Sequence, residues 1–160
     1  MSNRFDRSGR GTRAAAMRRF SSGDLRSLPI RLHGIELGRA VDLIVELETM
    51  RVLGLDVRCR DDTHRFLPLA AARVGEAEIA IGSALLLLDE LPFYRARGRS
   101  LQALRGTAVE TGGGAAGALK DVLVGGDGAI EQVVVEGPTG ERRVPVDAAA
   151  RIRERRAPAA

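Results

Sequence analysis

The chain has 160 residues, is 44% hydrophobic and 29% charged, and carries a formal net charge of +4 at pH 7. That length bounds the fold to one ordinary domain or two small ones, and the balance of residues belongs to globular chains rather than disordered or fibrous ones. The longest apolar run, Ala84 to Leu88, is far below the stretch of about 18 residues that a membrane-spanning helix needs.

The positive charge is unevenly placed. Residues 1–27 carry seven Arg and two Asp, and residues 151–160 carry four Arg and one Glu, whereas residues 28–150 are net acidic. Lys120 is the single lysine. Cys59 is alone, which rules out an intramolecular disulfide, fits a reducing compartment, and suits a small buried hydrophobe in a strand. The N-terminus has early Arg but no apolar core of a secretory signal, so a cytoplasmic protein is expected, with docking at a membrane surface as an alternative.

Residues 1–27, rich in Arg, Ser and Gly, read as a disordered basic arm with a helical turn at Ala14 to Phe20. The first compact unit is placed at 28–91. Val41, Leu43, Val45 and Leu47 alternate with mostly polar neighbours, and so do Leu53, Leu55, Val57 and Cys59. Period-2 alternation predicts two strands, joined by a turn at Glu48 to Arg51. Asp61 to His64 predicts another turn. Arg65 to Leu67 predicts a strand ending at Pro68, which cannot donate to a ladder. Glu78 to Ile81 predicts a further strand. Residues 92–100 are read as a linker. Within it Phe93 and Tyr94 serve as packing anchors, and Pro92 is tolerated in the first turn of a short helix that Asp89 could cap.

The second unit is placed at 101–152, followed by a basic tail at 153–160. A short strand is predicted at Thr107 to Glu110 and another at Glu141 to Val144. Between them, Val122 to Val124 and Ile130 to Val135 flank Gly125-Gly126-Asp127-Gly128. An Asp-Gly between β-branched runs predicts a hairpin with a type I′ turn, which needs φ > 0 at both central residues.

The two units repeat one pattern. Gly38, Asp42 and the apolar run Leu43 to Val45 recur one half-chain on as Gly117, Asp121 and Val122 to Val124. Leu67-Pro68-Leu69 recurs as Val144-Pro145-Val146, and Arg73-Val74 as Arg151-Ile152, at nearly the same offset. A repeat at fixed spacing marks a duplicated structural unit. Many short strands with Gly-rich turns imply all-β architecture in small barrels, with short helical turns between them. A unit of roughly 75 residues buries only about 60% of its unfolded surface, so the two gain by packing together.

Gly-x-x-x-Asp before three apolar residues, a second β-branched strand and an apolar-Pro-apolar strand end resemble the PRC-barrel domain, over roughly 28–88 and 101–152. The resemblance implies tandem compact barrels that bind partners and carry no general catalytic residue set. That family includes the cytoplasmic part of the photosynthetic reaction-centre H subunit and half of a small-subunit ribosome maturation factor. Tandem copies are similar to the cytoplasmic front end of some bacterial magnesium-transporter-like proteins. One departure stands out: Glu78 to Ile81 follows the first anchor, but no apolar run follows Ile152. The second barrel is therefore expected to lack its last strand and to be completed by residues 83–91 or by another subunit of a homo-oligomer.

Candidate chemistry is thin. Gly112 to Gly117 fits G-x-G-x-x-G, but a dinucleotide site needs a helix opening at the third Gly, and a short β-branched run follows instead. His33 sits in a turn with Gly34, and His64 beside Asp61 and Asp62 reads as a solvated turn. Asp42 and Asp121 are expected to accept backbone N–H groups of a neighbouring turn. No catalytic residue, cofactor or metal is expected. The function expected is a non-enzymatic adaptor that binds a protein. The alternative is RNA or ribosome association through Arg4, Arg7, Arg10, Arg13, Arg18, Arg19, Arg153, Arg155 and Arg156. Against it, stacking aromatics are not interleaved with the basic residues.

Overall fold

The structure, a computed structural model, describes residues 18–154. In chain order it contains β1 (Arg19–Ser21), α1 (Ser22–Ser27), β2 (Pro29–Leu32), β3 (Ile35–Glu46), β4 (Arg51–Cys59), β5 (His64–Pro68), β6 (Arg73–Val74) and β7 (Ile79–Ile81). There follow α2 (Leu91–Arg97), β8 (Arg99–Ser100), α3 (Leu101–Leu104), β9 (Ala108–Thr111), β10 (Gly114–Gly125), β11 (Ile130–Gly137), β12 (Gly140–Pro145) and β13 (Arg151–Ile152). Short 3₁₀ turns occupy Leu69–Ala71 and Ala84–Leu86. The chain is mostly β and forms two sheets, one curled into a half-barrel. The first runs β5-β4-β3-β2-β7-β6 with β8 also on β3; the second runs β12-β11-β10-β9-β13 with β1 also on β10.

The pairing registers repeat with the spacing read from the sequence. Ile30 faces Gly38 as Val109 faces Gly117, and Leu43 faces Leu55 as Val122 faces Val133. Both long strands carry register shifts at matching places, between Ala40 and Asp42 and between Leu119 and Asp121. Gly38 and Gly117 explain the glycine in each motif. A Cβ at Gly38 would stand 2.5 Å from the Arg58 carbonyl oxygen, and one at Gly117 would stand 2.6 Å from that of Glu136.

The units exchange their leading segments. β1 precedes the first sheet but pairs with β10 of the second, Ser21 facing Leu123. β8 precedes the second sheet but pairs with β3 of the first, Ser100 facing Ile44. Ser21 and Ser100 are themselves separated by the offset that relates Gly38 to Gly117. The hairpin tips also meet: the Val52 amide donates to the Gly128 carbonyl (2.8 Å), and the Ile130 amide donates to the Met50 carbonyl (3.0 Å). Those two bonds interchange under the repeat correspondence, as in an isologous contact between identical subunits. Buried side chains from both halves, Leu25, Leu43 and Met50 with Val109, Val122 and Val133 among them, form one continuous core.

Several expectations change. The folded chain begins ahead of residue 28: Phe20 and Leu25 are buried, and α1 opens with a capping box between Ser21 and Asp24. Residues 92–100 are α2 and β8 rather than a linker, and Glu90, not Asp89, precedes α2. The turn after β10 has positive φ only at Gly128, so it is not type I′. The bond from the Gly128 amide to the Gly125 carbonyl (3.0 Å) and the left-handed Gly128 give the three-residue hairpin with a bulge instead. The edge beside β9 is filled by β13 of the same chain, Ile152 facing Val109. Residues 83–91 do not pair there. Leu88 instead pairs with Phe66 at the edge of the first sheet.

Candidate interaction surface

The repeated carboxylates join the two halves. Asp121 Oδ1 accepts the amides of Val122 (2.8 Å) and of Ser22 in α1 (3.3 Å). Asp42 Oδ1 accepts the amides of Leu43 (2.8 Å) and of Gln102 in α3 (3.4 Å), and its other oxygen accepts the Ser100 hydroxyl. Each Asp therefore holds the start of the helix that follows an exchanged strand. Pro68 and Pro145 end the corresponding edge strands, facing Gly54 and Gln132.

The outward faces of the two sheets differ. In the first, α2 lies over β3, β4 and β5. Ile44, Phe66 and Leu91 form a small second core with Leu53, Leu88 and Tyr94 around it. Tyr94 stacks on Phe66 with ring centroids 3.8 Å apart. Asp56 beneath α2 is only 2% exposed, accepting Arg95 Nη2 at Oδ2 (2.6 Å) and facing His64 Nδ1 from Oδ1 (2.8 Å). His64 remains exposed, and its ring also pairs with the buried Asp56 carboxylate of the neighbouring strand β4. Sequence reasoning missed this cluster because Asp56 falls on the polar face of β4, and nothing local says that a helix covers that face. The edge of β5 is covered as well: the Phe66 amide donates to the Leu88 carbonyl (2.8 Å), and the Leu88 amide donates back (2.7 Å).

The second sheet has no such cover among the described residues. The strand registers place Leu123, Val134 and Arg143 where the first sheet has Ile44, Asp56 and Phe66. They line a cleft of about 610 Å³ that Ser21, Asp121 and Glu136 also border. Leu123 and Val134 are each 7% exposed at its floor. Across it Lys120 Nζ pairs with Glu141 (2.6 Å), and that carboxylate holds the ammonium above the ordinary lysine range. β12 is the outer strand of its sheet, and Gly140 to Arg143 are exposed.

The basic ends are partly tied down. Arg18 pairs with Glu76 (2.9 Å), Arg19 with Glu131, and Arg153 with Glu110 (2.7 Å). Arg4, Arg7, Arg10, Arg13, Arg155 and Arg156 lie outside the described residues. Gly112 and Gly113 form the turn between β9 and β10, with no helix after them. His33 and Gly34 form the turn between β2 and β3, with φ of 49° and 80°. Among the described residues, no three His, Cys, Asp or Glu side chains gather to hold a metal, and no helix is long and apolar enough to cross a membrane. No known family model matches the chain, and no curated protein matches it.

Proposed function

We propose that the chain is a non-enzymatic protein-interaction module of two PRC-barrel-like repeats, and that it takes a partner strand along β12. The observation that carries this reading is the unequal treatment of two equivalent edges. Phe66 spends its outward amide and carbonyl on Leu88. Arg143 holds the same register position on β12, which has no neighbouring strand on its outer side among the described residues. An extended peptide added to such an edge gains main-chain hydrogen bonds, with specificity from alternate side chains. Glu141, Arg142, Arg143 and Pro145 discourage indiscriminate pairing, as charged residues and proline do on natural edges. The pairing of Arg18, Arg19 and Arg153 with acidic neighbours favours a protein partner over RNA.

Capture from native lysate, with and without nuclease, tests the reading through two variants. Arg143→Pro removes the outward donor without breaking a bond to β11, and Arg143→Ala keeps it. The expected result is nuclease-resistant capture of a protein by the wild type and by Arg143→Ala, lost in Arg143→Pro. Equal capture by Arg143→Pro, or loss on nuclease treatment, overturns it.

A further inference from the structure

Glu141 and Arg143 alternate on β12, so both lie on the cleft face of that strand. Their amides and carbonyls point outward, because antiparallel ladders alternate and Gly137 and Gly140 close the hairpin with β11. Val144 lies on the other face and packs against the shared core. Charge on the cleft face is unbalanced within one chain. Glu136 stands directly opposite Glu141, and both carboxylates act on the single ammonium of Lys120. Arg143 faces Val134 and makes no ion pair among the described residues. Each copy thus carries a surplus carboxylate and a surplus guanidinium on the same short edge. We propose that the strand taken by β12 is the β12 of a second copy, antiparallel about a two-fold axis at Arg142, so that Glu141 of each copy faces Arg143 of the other.

This rests on the reading of β12 as an open edge and names its partner. The alternation of the ladder limits the choice of register. Centring the axis on Glu141 or on Arg143 sets like charges directly opposite each other, which destabilises a strand pair. Centring it on Val144 brings Pro145, which has no N–H to donate, opposite Arg143. The register centred on Arg142 sets opposite charges face to face, and the symmetry makes the match twice. At the axis Arg142 meets its own copy, but its guanidinium donates to the Ala116 carbonyl on β10 (3.0 Å), back across β11 and away from the edge. Each Glu141–Arg143 pair then exchanges both main-chain hydrogen bonds, as Phe66 and Leu88 do at the equivalent edge of the first sheet (2.8 and 2.7 Å). A strand this short buries little surface, so the dimer is weak and concentration-dependent.

Sedimentation equilibrium of the purified full chain across micromolar concentrations tests this. The wild type is expected to dimerise reversibly, and Arg143→Pro, which lacks the outward donor, to sediment as a monomer. Glu141→Arg and Arg143→Glu each set like charges opposite one another twice, and each is expected to raise the dimer Kd on the order of tenfold. The double variant Glu141→Arg/Arg143→Glu restores opposite charges in this register alone, and its Kd is expected to return to within about threefold of wild type. Thermal melting checks that each variant folds; if Arg143→Pro does not, the charge variants decide. A wild type that stays monomeric, a dimer unaffected by the single charge variants, or failure of the double variant to restore it overturns the proposal. A monomeric wild type whose lysate capture is still lost in Arg143→Pro overturns the second copy as partner and leaves β12 as the docking edge. A dimer and a capture that are both indifferent to Arg143→Pro overturn both readings.

Discussion

At the scale of single residues, Asp42 and Asp121 do the same work from opposite sheets. Each carboxylate satisfies amides at the first turn of a helix, where donors have no partner within the helix. Asp121→Ala leaves the Ser22 and Val122 amides unpaired and is expected to lower stability by about 1–2 kcal/mol in chemical denaturation; an unchanged midpoint contradicts that role. Arg95 pairs with the Asp56 carboxylate, which is buried. Arg95→Ala is expected to cost roughly 1–3 kcal/mol, since the guanidinium itself stays partly exposed and Asp56 keeps His64. Asp56→Asn in the Arg95→Ala background should recover part of the loss by removing the stranded charge, and a still lower midpoint would contradict this. Burial pushes the Cys59 thiol above its ordinary value. Because the thiolate is the reactive species, native Cys59 should alkylate at pH 8 at least about tenfold more slowly than in denaturant.

At the scale of elements, α1 is a wedge between the sheets. Leu25 is 1% exposed and belongs to the shared core. Leu25→Ala is expected to cost about 2–5 kcal/mol, as large-to-small core substitutions do, and to lower protection of both β3 and β10 in hydrogen exchange. Loss confined to β3 would contradict the wedge. The long strands were legible in the sequence. Val41 to Leu47 and Leu53 to Cys59 alternate far enough for the period to show, and β3 and β4 cover them except for Leu47, with β3 starting earlier at Ile35. The Asp-Gly between β-branched runs marks the inner ends of β10 and β11, but β10 starts well ahead of Val122, at Gly114. β1 and β8 are too short for any period, and each pairs with a strand of the other half of the chain. The Ser21-x-x-Asp24 capping box was nonetheless a readable start signal, and only the Arg-rich surroundings hid it. Asp56 was unreadable for a different reason. Its burial comes from α2, which follows three further strands, so alternation along β4 alone assigns it to the solvent face.

At the scale of the whole molecule, reciprocal strand pairing ties the two sheets together. A half of this size is marginal by itself. Exchanging β1 and β8 places part of each half's hydrogen bonding, and the helix-start contacts of Asp42 and Asp121, on the other half. The hairpin tips at Met50 and Gly128 and the ion pairs Arg18–Glu76 and Arg99–Glu154 add further ties. Gly128 thus serves a contact between halves: a Cβ there would stand 2.9 Å from the Val52 carbonyl oxygen. Gly128→Val, which also forces a β-branched residue into positive φ, should weaken both halves at once. With the interior shared so completely, what distinguishes the halves is their outer surface, where only the first sheet is covered by α2 and Leu88 among the described residues.

Differential scanning calorimetry of the full chain tests this account most directly. One shared core and reciprocal strands predict a single transition whose calorimetric and van't Hoff enthalpies agree, with Leu25→Ala and Asp121→Ala shifting that whole transition. Two resolved transitions, with either variant moving only one of them, would contradict it.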